Sequence, residues 1–114
     1  MTGKKPKILV VDDDPFVRKM LSDILLKDGY RTATAVNGAE ARDAVRGQGD
    51  PDLVITDINM PVMDGLRFVE EIRRSGSDLP IIILTVVDEV SVAVQALKTG
   101  ADEYLLKEEN IRDT

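Results

Sequence analysis

Three short aliphatic runs, each ending on an acid or a hydroxyl, constrain this chain more than any other feature in it. They are Ile8-Leu9-Val10-Val11 before Asp12-Asp13, Leu53-Val54-Ile55-Thr56 before Asp57, and residues 80–84 before Thr85. Runs of this length without polar alternation read as strands buried on both faces. Between them the apolar residues fall at helical spacing. Val17, Met20, Leu21, Ile24 and Leu25 follow Asp14-Pro15, an N-cap with proline at the first helical position, and Gly29 stops that helix. Residues 39–45 are Ala-rich and helical, Leu66, Val69 and Ile72 mark a third helix, and residues 90–98 a fourth, stopped by Gly100. Segments 31–36 and 103–106 mix polar and apolar residues and read as edge strands. Asn37-Gly38 reads as a turn, residues 58–65 as a loop and residues 1–6 as a disordered lead-in.

The order is βαβαβαβαβ, which predicts a single α/β domain over 1–114 with a parallel sheet and right-handed crossovers. The wholly apolar strands belong in the centre and the mixed ones at the edges. That arrangement is the doubly wound order 2-1-3-4-5 of flavodoxin-like sheets, whose sites lie at the carboxyl ends of the strands beside the switch point.

That edge should gather Asp12, Asp13, Asp57, Thr85 and Lys107. Carboxylates crowded there repel one another by roughly 1–4 kcal/mol per pair, and a hard divalent cation relieves the conflict. Mg²⁺ suits oxygen ligands and phosphate. Lys107 supplies a positive point charge and Thr85 a hydroxyl donor for phosphate oxygens. Asp57 is then placed to act as a nucleophile forming an aspartyl phosphate. The chain contains no Cys and no His, which excludes thiolate chemistry, a serine–histidine–aspartate triad and His or Cys metal sites. Its net charge of −6 argues against direct contact with nucleic acid or anionic membranes, and no apolar run approaches a membrane span. A cytoplasmic location is expected.

The stretches ILVVDDDP (8–15), DLVITDINMPVMDG (52–65), PIIILT (80–85) and GADEYLLK (100–107), in this order, resemble the receiver domain of bacterial two-component response regulators, chemotaxis receivers among them. The resemblance implies a phosphoacceptor switch that catalyses only its own phosphorylation and dephosphorylation. Asp57 would be the acceptor. Asp13 would ligate Mg²⁺ directly, Asp12 through water, and the Asn59 backbone carbonyl would add a ligand beside Asp57. Thr85 would move onto the phosphoryl group, Tyr104 would be the aromatic switch and Lys107 would contact the phosphate. The donor would be a histidine kinase or histidine phosphotransfer protein. The surface of the fourth helix and fifth strand would then change its affinity for an output protein, an effector domain or a second copy. A degenerate receiver that binds partners without phosphorylation, and a small Mg²⁺-dependent phosphotransferase, are the rival readings.

Three features depart from the family. Glu108 follows Lys107 where proline is usual, and a cis bond there would cost about 2.5–4 kcal/mol. Val86 replaces a small residue beside Thr85, which should slow phosphoryl turnover. Only residues 108–114 remain for a fifth helix, about 10 Å if helical, so that helix is expected to be truncated. Apolar sheet surface should then be exposed, in an excerpt of a longer protein or in a form that self-associates.

Overall fold

The computed structural model of the chain describes residues 5–47 and 50–107. Nine elements follow one another: β1 Lys7–Val11, α1 Pro15–Lys27, β2 Arg31–Ala35, α2 Gly38–Arg46, β3 Leu53–Thr56, α3 Gly65–Arg74, β4 Ile81–Thr85, α4 Val90–Thr99 and β5 Glu103–Leu106. The five strands form one parallel sheet in the order β2-β1-β3-β4-β5, as the strand chemistry predicts. The expected truncated fifth helix and the Lys107–Glu108 peptide fall on residues 108–114, outside the described residues. Among the described residues no helix is long and apolar enough to cross a membrane.

The register sorts the sheet into two unequal faces. Leu9, Val11, Val54, Ile81 and Ile83 share one face and are fully buried in a cluster with Phe68, Val69 and Ile72 of α3 and Ala96 of α4. On the other face Ile8 and Val10 of β1 are buried, but Leu53, Ile55, Ile82 and Leu84 are only half-buried, so of the three aliphatic runs expected to be buried on both faces only that of β1 is; α1 buries none of its residues completely. Leu105 and Leu106 of β5 are exposed. The core is aliphatic apart from Phe68, in keeping with an aromatic fraction of 4%.

Helix boundaries follow local chemistry. Asp14 accepts a hydrogen bond from the Phe16 amide, with Pro15 as the first helical residue, as expected. Gly29 and Gly100, both at positive φ, follow the ends of α1 and α4. Asn37-Gly38 is not a turn: Asn37 caps α2 by accepting from the Glu40 amide at 2.8 Å, and Gly38 is the first helical residue. Nor do Lys5 and Pro6 belong to a free lead-in, since their carbonyls accept hydrogen bonds from Arg31.

The β3–α3 loop holds one strained residue. Val62, 84% exposed, sits at φ 69° in a three-residue turn closed by the Met63 amide on the Pro61 carbonyl at 2.7 Å. A β-branched residue there costs about 1–3 kcal/mol. Glycine relieves that strain at an entropic cost of about 1 kcal/mol or less. Val62→Gly is expected to raise the urea midpoint by the equivalent of about 1 kcal/mol; an unchanged or lower midpoint would show that the turn is unstrained.

Candidate functional site

The carboxyl ends of β1, β3, β4 and β5 converge because the strands run parallel, and each delivers a polar side chain to the same edge. Asp12, directly after β1, is buried, and its oxygens are held at three points. Its Oδ1 accepts from the Asp14 amide at 2.9 Å, its Oδ2 from Lys107 Nζ at 2.7 Å, and its carbonyl from Arg18 Nη1 at 2.7 Å. Asp13 beside it is exposed. Asp57, directly after β3, is also buried. Its amide donates to the Val11 carbonyl, tying the two strand ends together. Its Oδ1 accepts from the Ile58 amide at 2.7 Å and its Oδ2 from Lys107 Nζ at 3.0 Å.

Lys107 reaches this point because its amide donates to the Thr85 carbonyl at 2.8 Å, which sets the end of β5 beside that of β4. Its ammonium bridges Asp12 and Asp57. Burial alone would lower the Lys107 pKa, but the hydrogen bonds and charges of the two carboxylates outweigh it and hold the ammonium above its ordinary range. Burial pushes the Asp12 carboxyl up, more than the Lys107 contact brings it down, and the nearby Asp57 charge adds to the rise.

One oxygen from each of Asp12, Asp13 and Asp57 can be chosen so that all lie within 4.8 Å of one another. An all-carboxylate donor set with one open, exposed member fits a hard divalent cation that keeps part of its water shell. Asn59, also named from the sequence, is exposed on the loop two residues beyond Asp57.

Thr85 and Tyr104 meet at a residue that sequence reasoning passed over. Thr85 is fully buried, and its Oγ1 accepts from the Val87 amide at 3.4 Å. The half-buried Tyr104 hydroxyl donates to the Val87 carbonyl at 2.7 Å. Burial, with the charges of Asp88, Glu89 and Asp57, keeps that phenol protonated to higher pH than usual. Val87 is therefore held at both ends of its backbone, by Thr85 at its amide and by Tyr104 at its carbonyl. Val86, next in the loop, is 68% exposed. Arg18, the other residue missed, pins the β1–α1 loop that presents Asp12 and Asp13.

The family model that matches this chain describes the response regulator receiver domain and aligns with residues 8–114. A curated relative, the response regulator MprA of Mycobacterium sp. (strain KMS), is 46% identical over 101 residues, covering 89% of this chain and 44% of its own length. The chain thus spans less than half of the curated relatives it matches. Among solved structures, the Francisella response regulator 1452 receiver domain superposes with a TM-score of 0.85 at 30% identity, covering 96% of this chain and 93% of that one. A CheX–CheY–BeF₃–Mg²⁺ complex from Borrelia burgdorferi gives a TM-score of 0.89 at 26% identity, covering 97% and 84%.

Proposed function

This chain belongs to the family of response regulator receiver domains of two-component signalling, and on that premise we propose that Asp57 accepts a phosphoryl group with the help of Mg²⁺ held at Asp12, Asp13 and Asp57. The observation that carries the reading is the bridging of Asp12 and Asp57 by Lys107, beside an open carboxylate. Asp57 Oδ attacks phosphorus, the bond from phosphorus to the donor breaks, and the donor departs with the electron pair. With a phosphohistidine donor, from a histidine kinase or phosphotransfer protein, the leaving imidazole takes up a proton. Bound Mg²⁺ supplies positive charge to the phosphoryl oxygens. The protein's own groups do the rest. Asp57 Oδ1, fixed by the Ile58 amide, leaves Oδ2 as the nucleophile once Lys107 turns from it to a phosphoryl oxygen.

Thr85 then donates its hydroxyl proton to a phosphoryl oxygen, and the turn toward that acceptor draws Oγ1 away from the Val87 amide. The Tyr104 contact with the Val87 carbonyl changes with it, and the α4–β5 surface shifts between two states that partners bind differently. The output is binding by an effector domain, an output protein or a second copy, in the cytoplasm, with no direct contact to nucleic acid by this domain. The only reaction catalysed is its own phosphorylation and dephosphorylation.

Intact mass tests this directly. With Mg²⁺ and a small-molecule phosphodonor, wild type should gain one phosphoryl group while Asp57→Asn gains none; chelating the metal should abolish the gain. A gain in Asp57→Asn would move the acceptor elsewhere. No gain in either would favour a receiver that works without phosphorylation.

A further inference from the structure

A second charged feature lies on the α2–α3 side of the molecule, away from the carboxyl edge of the sheet. A groove of about 320 Å³ is lined by Arg46 of α2, by Arg67, Glu71 and Arg74 of α3, and by Ser75. Arg42 stands one turn before Arg46 and donates through Nη1 to Glu71 Oε1 at 3.2 Å; Arg67 Nε donates to Glu71 Oε2 at 3.2 Å. Both Glu71 oxygens are thus occupied, and its carboxyl is held below its usual range by Arg42 first, burial opposing and Arg67 adding. Glu70 is shared between Arg74 at 3.4 Å and Arg67 at 3.8 Å, and Asp43 lies 3.5 Å from Arg42. No ion pair joins Arg46 to any described residue. Four guanidinium groups therefore face three carboxylates that are already engaged, on a chain whose net charge is −6.

From this juxtaposition we propose that the α2–α3 groove binds an acidic peptide segment of a partner protein, taking its carboxylates on Arg46, Arg67 and Arg74. Glu71 displays the mode internally, since one carboxylate there already bridges guanidinium groups from two helices. Each guanidinium keeps unused donors that match carboxylate geometry. The groove takes carboxylates rather than phosphates because α2 and α3 both end beside it, at Gly47 and Ser75. Helix C-termini carry partial negative charge and offer carbonyls instead of amide donors. A compact dianion is repelled there more than singly charged carboxylates are.

The test uses a fluorescent oligoglutamate peptide at low ionic strength, where exposed charges are least screened. Wild type should bind it, and the double variant Arg46→Glu/Arg74→Glu should bind at least about tenfold more weakly. Lys27→Glu/Lys98→Glu is the matched control, because it makes the same charge change in the last turns of α1 and α4 and should bind almost as wild type does. Thermal melts of all three confirm that each is folded. Equal weakening in both double variants would reduce the effect to net charge and overturn the proposal, as would no binding by wild type. Tighter binding of tripolyphosphate than of oligoglutamate would overturn the choice of carboxylate. None of these readouts depends on Asp57.

Discussion

Replacing Gly65 with alanine is expected to destabilise the fold by about 3 kcal/mol or more and to suppress phosphoryl acceptance at the same time. Gly65 is buried at the first turn of α3, with its amide on the Ile58 carbonyl at 2.8 Å. A Cβ at this position runs into the Asp57 carbonyl oxygen and comes within 3.1 Å of the Asp57 carbonyl carbon and Ile58 Cα. All three atoms are backbone, so no side chain can swing away to make room. Alanine would help the helix by about 1 kcal/mol in isolation, which is small against that overlap. Either α3 withdraws from the sheet or the peptide carrying Asp57 shifts, and the second spoils the alignment of its carboxylate. Urea unfolding and the intact-mass assay, run on one preparation, check both parts. Wild-type stability together with full phosphorylation would show that the backbone yields easily there.

Lys107→Met should cost about 3 kcal/mol at neutral pH without Mg²⁺, because it strands Asp12 and Asp57 as buried carboxylates without their cation. Its pH dependence is the sharper part. In wild type the Asp12 carboxyl already sits above its ordinary 3.8, and removing Lys107 takes away a contact that lowers it. A carboxyl raised in the folded state contributes stability below its unfolded pKa and loses it as pH rises through the folded value. The deficit of the variant should therefore be small near the ordinary aspartate range and grow toward neutrality. In wild type the raised Lys107 adds stability that persists below 10.5 and is lost only as pH rises through its higher folded value. Mg²⁺ should restore much of the variant's loss at neutral pH without restoring its rate of phosphorylation. Thermal melts across pH, with and without the metal, read all of this. A deficit independent of pH would mean that packing of the lysine stem, and not its charge, stabilises the site.

Much of the architecture was legible because its determinants are local and repeated. Aliphatic runs, helix spacing and strand-end acids each act within a few residues, and parallel topology turns them into a common edge. Asn37-Gly38 misled for a physical reason. The dipeptide suits a tight turn, yet Asn37 is also three residues before Glu40, and that spacing makes a cap. The Glu40 carboxylate reaches back to the Val36 amide at 3.0 Å while Asn37 accepts the Glu40 amide. At the site, the acids and Lys107 were readable because charge at a strand end needs a partner. Arg18 was not, since an arginine one turn into an amphipathic helix looks solvated until its 2.7 Å bond to the Asp12 carbonyl is seen. The grip of Thr85 and Tyr104 on Val87 involves only that residue's backbone, which leaves no trace in its side chain.

The hydrogen bond between Lys107 and Asp12 spans 95 residues of chain. A polypeptide leaving the ribosome presents Asp12, Asp13 and Asp57 well before the lysine that neutralises them has been made. Until β5 docks beside β4, the nascent domain carries this acidic cluster without the lysine that bridges Asp12 and Asp57. If Lys107 meets the phosphoryl group as proposed, phosphoryl acceptance should therefore begin only once β5 has docked beside β4.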